Sequence, residues 1–111
     1  MTGKIVRIDG DRLTDESAFH DAFAEALGFP DWYGRNWDAW IDLMTHLDVD
    51  SGSAEFCVQP SETVTILLDK AAAFRDRAPK LYNALIECAA FVNWRRLETG
   101  DTAYLCLAFR S

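Results

Sequence analysis

Three short runs, KIVRID at 4–9, TVTILLD at 63–69 and TAYLCLAF at 102–109, have the length and the β-branched, apolar character of strands. The segments between them repeat apolar residues at helical spacing. Strands that alternate with helices are joined by crossovers, and crossovers build parallel sheets. The expected fold is therefore α/β: a small three-stranded parallel sheet packed with helices. The nearly unbroken apolar character of the second and third runs predicts burial on both sheet faces, while Arg7 within the first predicts a more exposed strand. A chain of 111 residues has the size of one domain, 1–111.

Between the first two strands, Phe19, Ala22, Phe23, Ala26 and Leu27 share one face of a helix that Thr14 is placed to cap, with Asp15 and Glu16 in its first turn. Gly28 and Pro30 end it. After a turn at 31–35, Asn36 is placed to cap a second helix from Trp37 to about Leu47. At about 100° per residue Trp37, Trp40, Leu43, Met44 and Leu47 share its inward face, Ile41 lies at the edge, and Asp38, Asp42, Thr45 and His46 fall opposite. Residues 48–62 read as a polar connector, with a short strand or turn around Ala54–Val58 as its only candidate structure. Lys70–Arg77 has helix-favouring composition. Pro79 suits the first turn of another helix, reaching about Arg96, with Leu81, Leu85, Cys88, Ala89 and Val92 inward.

A net charge of −7 argues against a nucleic-acid-binding surface and favours cationic partners. No stretch approaches the roughly 18 consecutive apolar residues of a membrane span, and MTGKIVRIDGD has no secretory signal, so a cytoplasmic protein without membrane association is expected. Cys57, Cys88 and Cys106 are odd in number and form no C-x-x-C pair, which excludes a disulfide framework and a structural zinc site. Their apolar flanks predict buried thiols. His20, on the polar side of the first helix, and His46, at the end of the second, read as surface residues, since nothing brings either to a cysteine or serine. The glycines form neither a dinucleotide fingerprint nor a phosphate loop. No catalytic residue, cofactor or metal is expected.

Asp38 and Asp42 ask for a cause. Like charges four apart on a helix repel by about 0.2–0.5 kcal/mol, and only Asp38 is near enough to the N-terminus for the helix dipole to offset this. Three accounts compete. The pair is a tolerated solvated face; or it holds a divalent metal for phosphate chemistry, which needs further oxygen ligands this helix does not supply; or it recognises a basic partner. Trp32, in the turn before the helix, has the placement of an aromatic interface anchor.

Pro30, Tyr33, Gly34, Asn36, Asp38, Ala39 and Asp42 stand as P-x-x-Y-G-x-N-x-D-A-x-x-D. This resembles the signature of the barstar family, intracellular protein inhibitors of secreted guanyl-specific ribonucleases such as barnase, and the order of strands and helices agrees. The resemblance implies inhibition by occlusion, with the motif helix and the preceding turn plugging the nuclease's basic active site. By position it implies Asp42 in the phosphate site, Asp38 against basic residues at the rim, and Trp32 where the family has a tyrosine that packs on the enzyme. Ile41 stands where a contacting tryptophan occurs, Asn36 and Thr45 flank these positions, and Glu87 matches a glutamate late in the penultimate helix. The chain departs from the family in a longer connector at 48–62, an extension through Asn93-Trp94-Arg95-Arg96, and both aromatic contact positions. The expected protein is an immunity protein of a toxin–antitoxin pair, monomeric when free. An acidic module for a basic partner that is not a nuclease is the alternative, and a metal-dependent phosphate-processing enzyme the third reading.

Overall fold

The structure, a computed structural model, describes residues 3–48, 58–59 and 62–111. The expectations for Ala54–Cys57, and for most of the connector, lie outside the described residues. Chain order is β1 (Gly3–Asp9), a short 3-10 turn (Gly10–Arg12), α1 (Glu16–Leu27), α2 (Trp37–Thr45), β2 (Thr63–Asp69), α3 (Ala71–Arg77), α4 (Pro79–Glu98) and β3 (Leu105–Phe109). The strands form one parallel sheet in the order β1-β2-β3, with Ile5 beside Thr65 and Thr65 beside Cys106. The α/β architecture with a three-stranded parallel sheet is thus as expected. Among the described residues, no helix is long and apolar enough to cross a membrane.

With β2 central, two right-handed crossovers running the same way across the sheet set the helices on one face and leave the other open. Along β2, buried Val64, Ile66 and Leu68 alternate with half-buried Thr63, Thr65, Leu67 and Asp69. Ile5 and Cys106 are exposed on the open face. Burial on both faces is therefore wrong for β2 and β3, and so is a buried thiol at Cys106; Cys88 is half-buried. The exposed position expected for β1 holds, with Arg7 reaching across to Asp69 at 3.0 Å.

The covered face holds the core. Phe19, Phe23 and Leu27 of α1, Trp40 and Met44 of α2, and Leu85, Ala89 and Val92 of α4 pack over Val64, Ile66 and Leu68. Helix limits follow local chemistry. Asp15, not Thr14, caps α1, its Oδ1 accepting the Ala18 N–H at 2.8 Å. Gly28 closes α1 in the left-handed region at φ 64°, which glycine adopts without penalty. α2 ends at Thr45, before the expected Leu47, because the His46 N–H turns back to Leu43 O at 3.3 Å. β3 begins at Leu105, not Thr102; Tyr104 O still accepts the Val64 N–H at 2.8 Å, while the N–H groups of Tyr104 and Leu105 both donate to Asn93 Oδ1 of α4.

Candidate functional site

The turn that presents α2 is fastened to α1 by side chains. Asn36 caps α2, its Oδ1 accepting the Ala39 N–H at 2.8 Å. Arg35, just before it, adopts a left-handed conformation at φ 55°, which costs a non-glycine residue roughly 1–2 kcal/mol. Its guanidinium offsets this by pairing with the Asp21 carboxylate and donating to Ser17 Oγ at 2.8 Å. Trp37 Nε1 donates to Glu16 at 3.1 Å, and the Tyr33 hydroxyl shares a 2.5 Å hydrogen bond with His20 Nδ1. Beneath these, Phe19 packs on Trp37 with ring centroids 4.7 Å apart.

His20 corrects the expectation of a surface histidine. It is 1% exposed, enclosed by Phe19, Tyr33 and Trp37. Burial, the largest influence, holds its pKa below the ordinary 6.5, with Glu16 acting in the opposite direction. The unfolded chain then binds a proton that the folded chain refuses, so the stabilisation is complete above pH 6.5 and is lost as pH falls through the folded value. Thermal unfolding should show a midpoint that drops on acidification below pH 6.5, with the drop reduced in His20→Gln; an unchanged pH profile in that variant would refute the assignment.

On this base α2 turns a narrow strip outward. Asp38 and Asp42 are exposed, while Trp40 and Met44 are fully buried beneath them. α2 also lies against α4, which closes a second side of the helix. Ile41 and Thr45 are consequently only 8% and 7% exposed, and Thr45 Oγ1 donates to Ile41 O at 2.6 Å. The outward placement of Thr45 is corrected: the hydroxyl satisfies itself on its own helix and buries. Trp32, in contrast, is 69% exposed. Asn36 is exposed, but its amide is engaged, Oδ1 by the cap and Nδ2 by Gly34 O at 3.4 Å.

The seam with α4 completes the surface. Arg95 Nη1 reaches Asp42 Oδ1 at 2.7 Å. Burial, the largest influence, raises the Cys88 pKa, and the charges of Glu87 on α4, Asp38 on α2 and Glu16 on α1 raise it further. Both influences favour the thiol over the thiolate. Asp38 on α2 and Glu87 on α4, the helix packed against it, are both exposed. Arg95 and Glu16 were missed. Neither has a cue in its own helix, because what matters is which helix lies alongside. Among the described residues, no group of three or more His, Cys, Asp or Glu side chains is arranged to hold a metal ion.

No curated protein matches the chain. A family model does: barstar (barnase inhibitor) matches residues 3–106, nearly the whole chain, and spans every element from β1 into β3. The chain belongs to the barstar family.

Proposed function

We propose that this protein inhibits a basic, barnase-like ribonuclease by seating the acidic strip of α2 in the enzyme's active site, and that it serves in the cytoplasm as an immunity protein against that toxin. The observation that carries the reading is the outward pair Asp38 and Asp42, mounted on a helix whose opposite side is anchored by fully buried Trp40 and Met44. In this reading Asp42 takes the place of a substrate phosphate, Asp38 and Glu87 meet basic residues around it, and Trp32 packs on the enzyme surface. Ile41 and Thr45 support α2 from within.

Physical considerations favour this use of the surface. Carboxylates pair most strongly with Arg and Lys when water is excluded, and a strip already fixed to the core loses little further entropy on binding. The net charge of −7 accelerates encounter with a cationic enzyme. Asp42 must exchange Arg95 for a cation of the partner. Exposed ion pairs contribute about 0–1 kcal/mol, so the exchange costs little. The free protein is a monomer in this reading.

The test is a titration of barnase and a set of related small basic ribonucleases with the protein while RNA cleavage is followed. At least one enzyme should lose its activity at about one equivalent, with weaker inhibition at high salt. Full cleavage by every enzyme in excess protein would overturn the proposal.

A further inference from the structure

We propose that Phe91 and Trp94 on α4 form an apolar half of the same docking surface, and that the partner seated there is a basic ribonuclease carrying an apolar ledge beside its cationic cleft. This rests on the reading of α2 as the inhibitory strip. The inward side of α4 is taken by Leu85, Ala89, Val92 and Arg96. Phe91 and Trp94 point away from it, 44% and 54% exposed, and their rings stack at 5.5 Å with 24° between planes. Single exposed apolar residues are commonplace on soluble proteins, but a contiguous pair of large rings is a feature of interaction sites. The stack also fixes both rings before binding, so little side-chain freedom remains to be lost.

Position ties the pair to the acidic strip. Arg95, next to Trp94 in the chain, is the residue that grips Asp42. Phe91 lies one helical turn before Arg95, and Glu87 one turn before Phe91, so the three line the side of α4 that faces α2. The rings are therefore continuous with the carboxylates across the seam. Ile86 and Leu97 are also exposed, but they lie toward Asn93, which donates to the β3 backbone, and stand outside this surface.

Charge decides between occupants. A second copy meeting this patch in a symmetric pair would oppose the carboxylates at its margin, Asp38, Asp42, Glu87 and Glu98, to themselves, in chains that each carry −7. A cationic partner meets the same margin with attraction. Aromatic anchors rimmed by complementary charge are the usual make-up of a binding hot spot.

The experiment uses the full chain and a ribonuclease that the wild-type protein inhibits. Trp94→Ala and Phe91→Ala should each raise the inhibition constant by roughly ten- to a hundredfold. Trp94→Phe should recover most of the loss, and Trp94→Lys, which places a cation against a cationic enzyme, should exceed it. Circular dichroism and the thermal midpoint should stay near wild type, since both rings are half in water. If Asp42→Ala weakens inhibition and all the ring variants inhibit like wild type, this inference fails and the reading of α2 stands. If the wild type inhibits no ribonuclease, both fail. Sedimentation showing a wild-type dimer that Trp94→Ala dissociates, with inhibition unchanged, would assign the patch to a second copy and likewise overturn it.

Discussion

Asp42→Ala is expected to weaken binding to a target ribonuclease by roughly a hundredfold or more, while changing the unfolding free energy by less than about 1 kcal/mol. The asymmetry follows from where the carboxylate stands in each state. In the free protein its side chain is 65% exposed and meets Arg95 at 2.7 Å, itself 33% exposed, so the pair is screened by water and its loss is a small one. In the proposed complex the same carboxylate is desolvated against the enzyme's cations. Removing one partner from a buried ion pair costs about 3–5 kcal/mol, because the remaining charges are left without compensation. Arg95 deepens the effect, since without Asp42 it faces the enzyme's cations as a like charge. The double variant Asp42→Ala/Arg95→Ala should therefore bind more tightly than Asp42→Ala alone. Inhibition constants beside urea unfolding curves separate the two effects, and equal affinity of Asp42→Ala and wild type would exclude Asp42 from the contact.

Much of the framework could be read from the chain because it is local. Asn36 before Trp37 and Gly28 after Leu27 act through bonds within a turn, and both perform the capping roles expected of them. The alternation of strands and helices likewise led directly to a parallel sheet. What local periodicity does not carry is how many neighbours an element has. α2 is covered on two sides, so its buried stripe widens to take in Ile41 and Thr45. At about 100° per residue Thr45 falls opposite the inward stripe, yet a threonine can satisfy its hydroxyl on its own helix and then bury like valine. His20 deceived for a related reason, since its partner, Tyr33, comes from a turn beyond the end of α1. In β2, Thr63 and Thr65 alternate with Val64 and Ile66, the pattern of a sheet open on one face, and only the adjacent Leu67 and Leu68 mimic burial on both. For the candidate site, the Asp38 and Asp42 pair and Trp32 are visible in the sequence. The contribution of α4 through Arg95, Phe91 and Trp94 depends on helix packing.

Arg96→Met should lower stability by about 3 kcal/mol, the largest effect expected from a single substitution away from the outward strip. Although arginine ordinarily stays at the surface, this one is 3% exposed. Its Nε donates to Thr102 O at 2.6 Å, Nη1 to Thr45 O at 2.8 Å, and both Nη atoms to the Asp48 carboxylate at 3.1 and 2.9 Å. Its guanidinium carbon also lies 3.7 Å from the centre of the Tyr104 ring. Tyr104 in turn donates to Met44 O and accepts the Leu47 N–H. One side chain thus joins the end of α2, the last turns of α4 and the approach to β3. Methionine fills much of the volume but donates nothing, so two carbonyls lose their donor and Asp48 is left as a largely enclosed charge. Lysine is no substitute, because a single ammonium cannot span these acceptors in the guanidinium plane. The hydrogen bond from Arg96 is the chief reason the Asp48 pKa lies below its ordinary 3.8, so this part of the stability is present above that pH and is lost on acidification below it. Urea unfolding of Arg96→Met, Asp48→Asn and the double variant gives the test. The two single losses should overlap, with Arg96→Met costing clearly less once Asp48 is neutral, and fully additive losses would show that the pair is not the source of the effect. Because Thr45 O sits on the last turn of α2, the loosened helix should also present Asp42 less well. Affinity for a ribonuclease should nonetheless fall far less in Arg96→Met than in Asp42→Ala, which separates a residue that supports the strip from one that makes its contact.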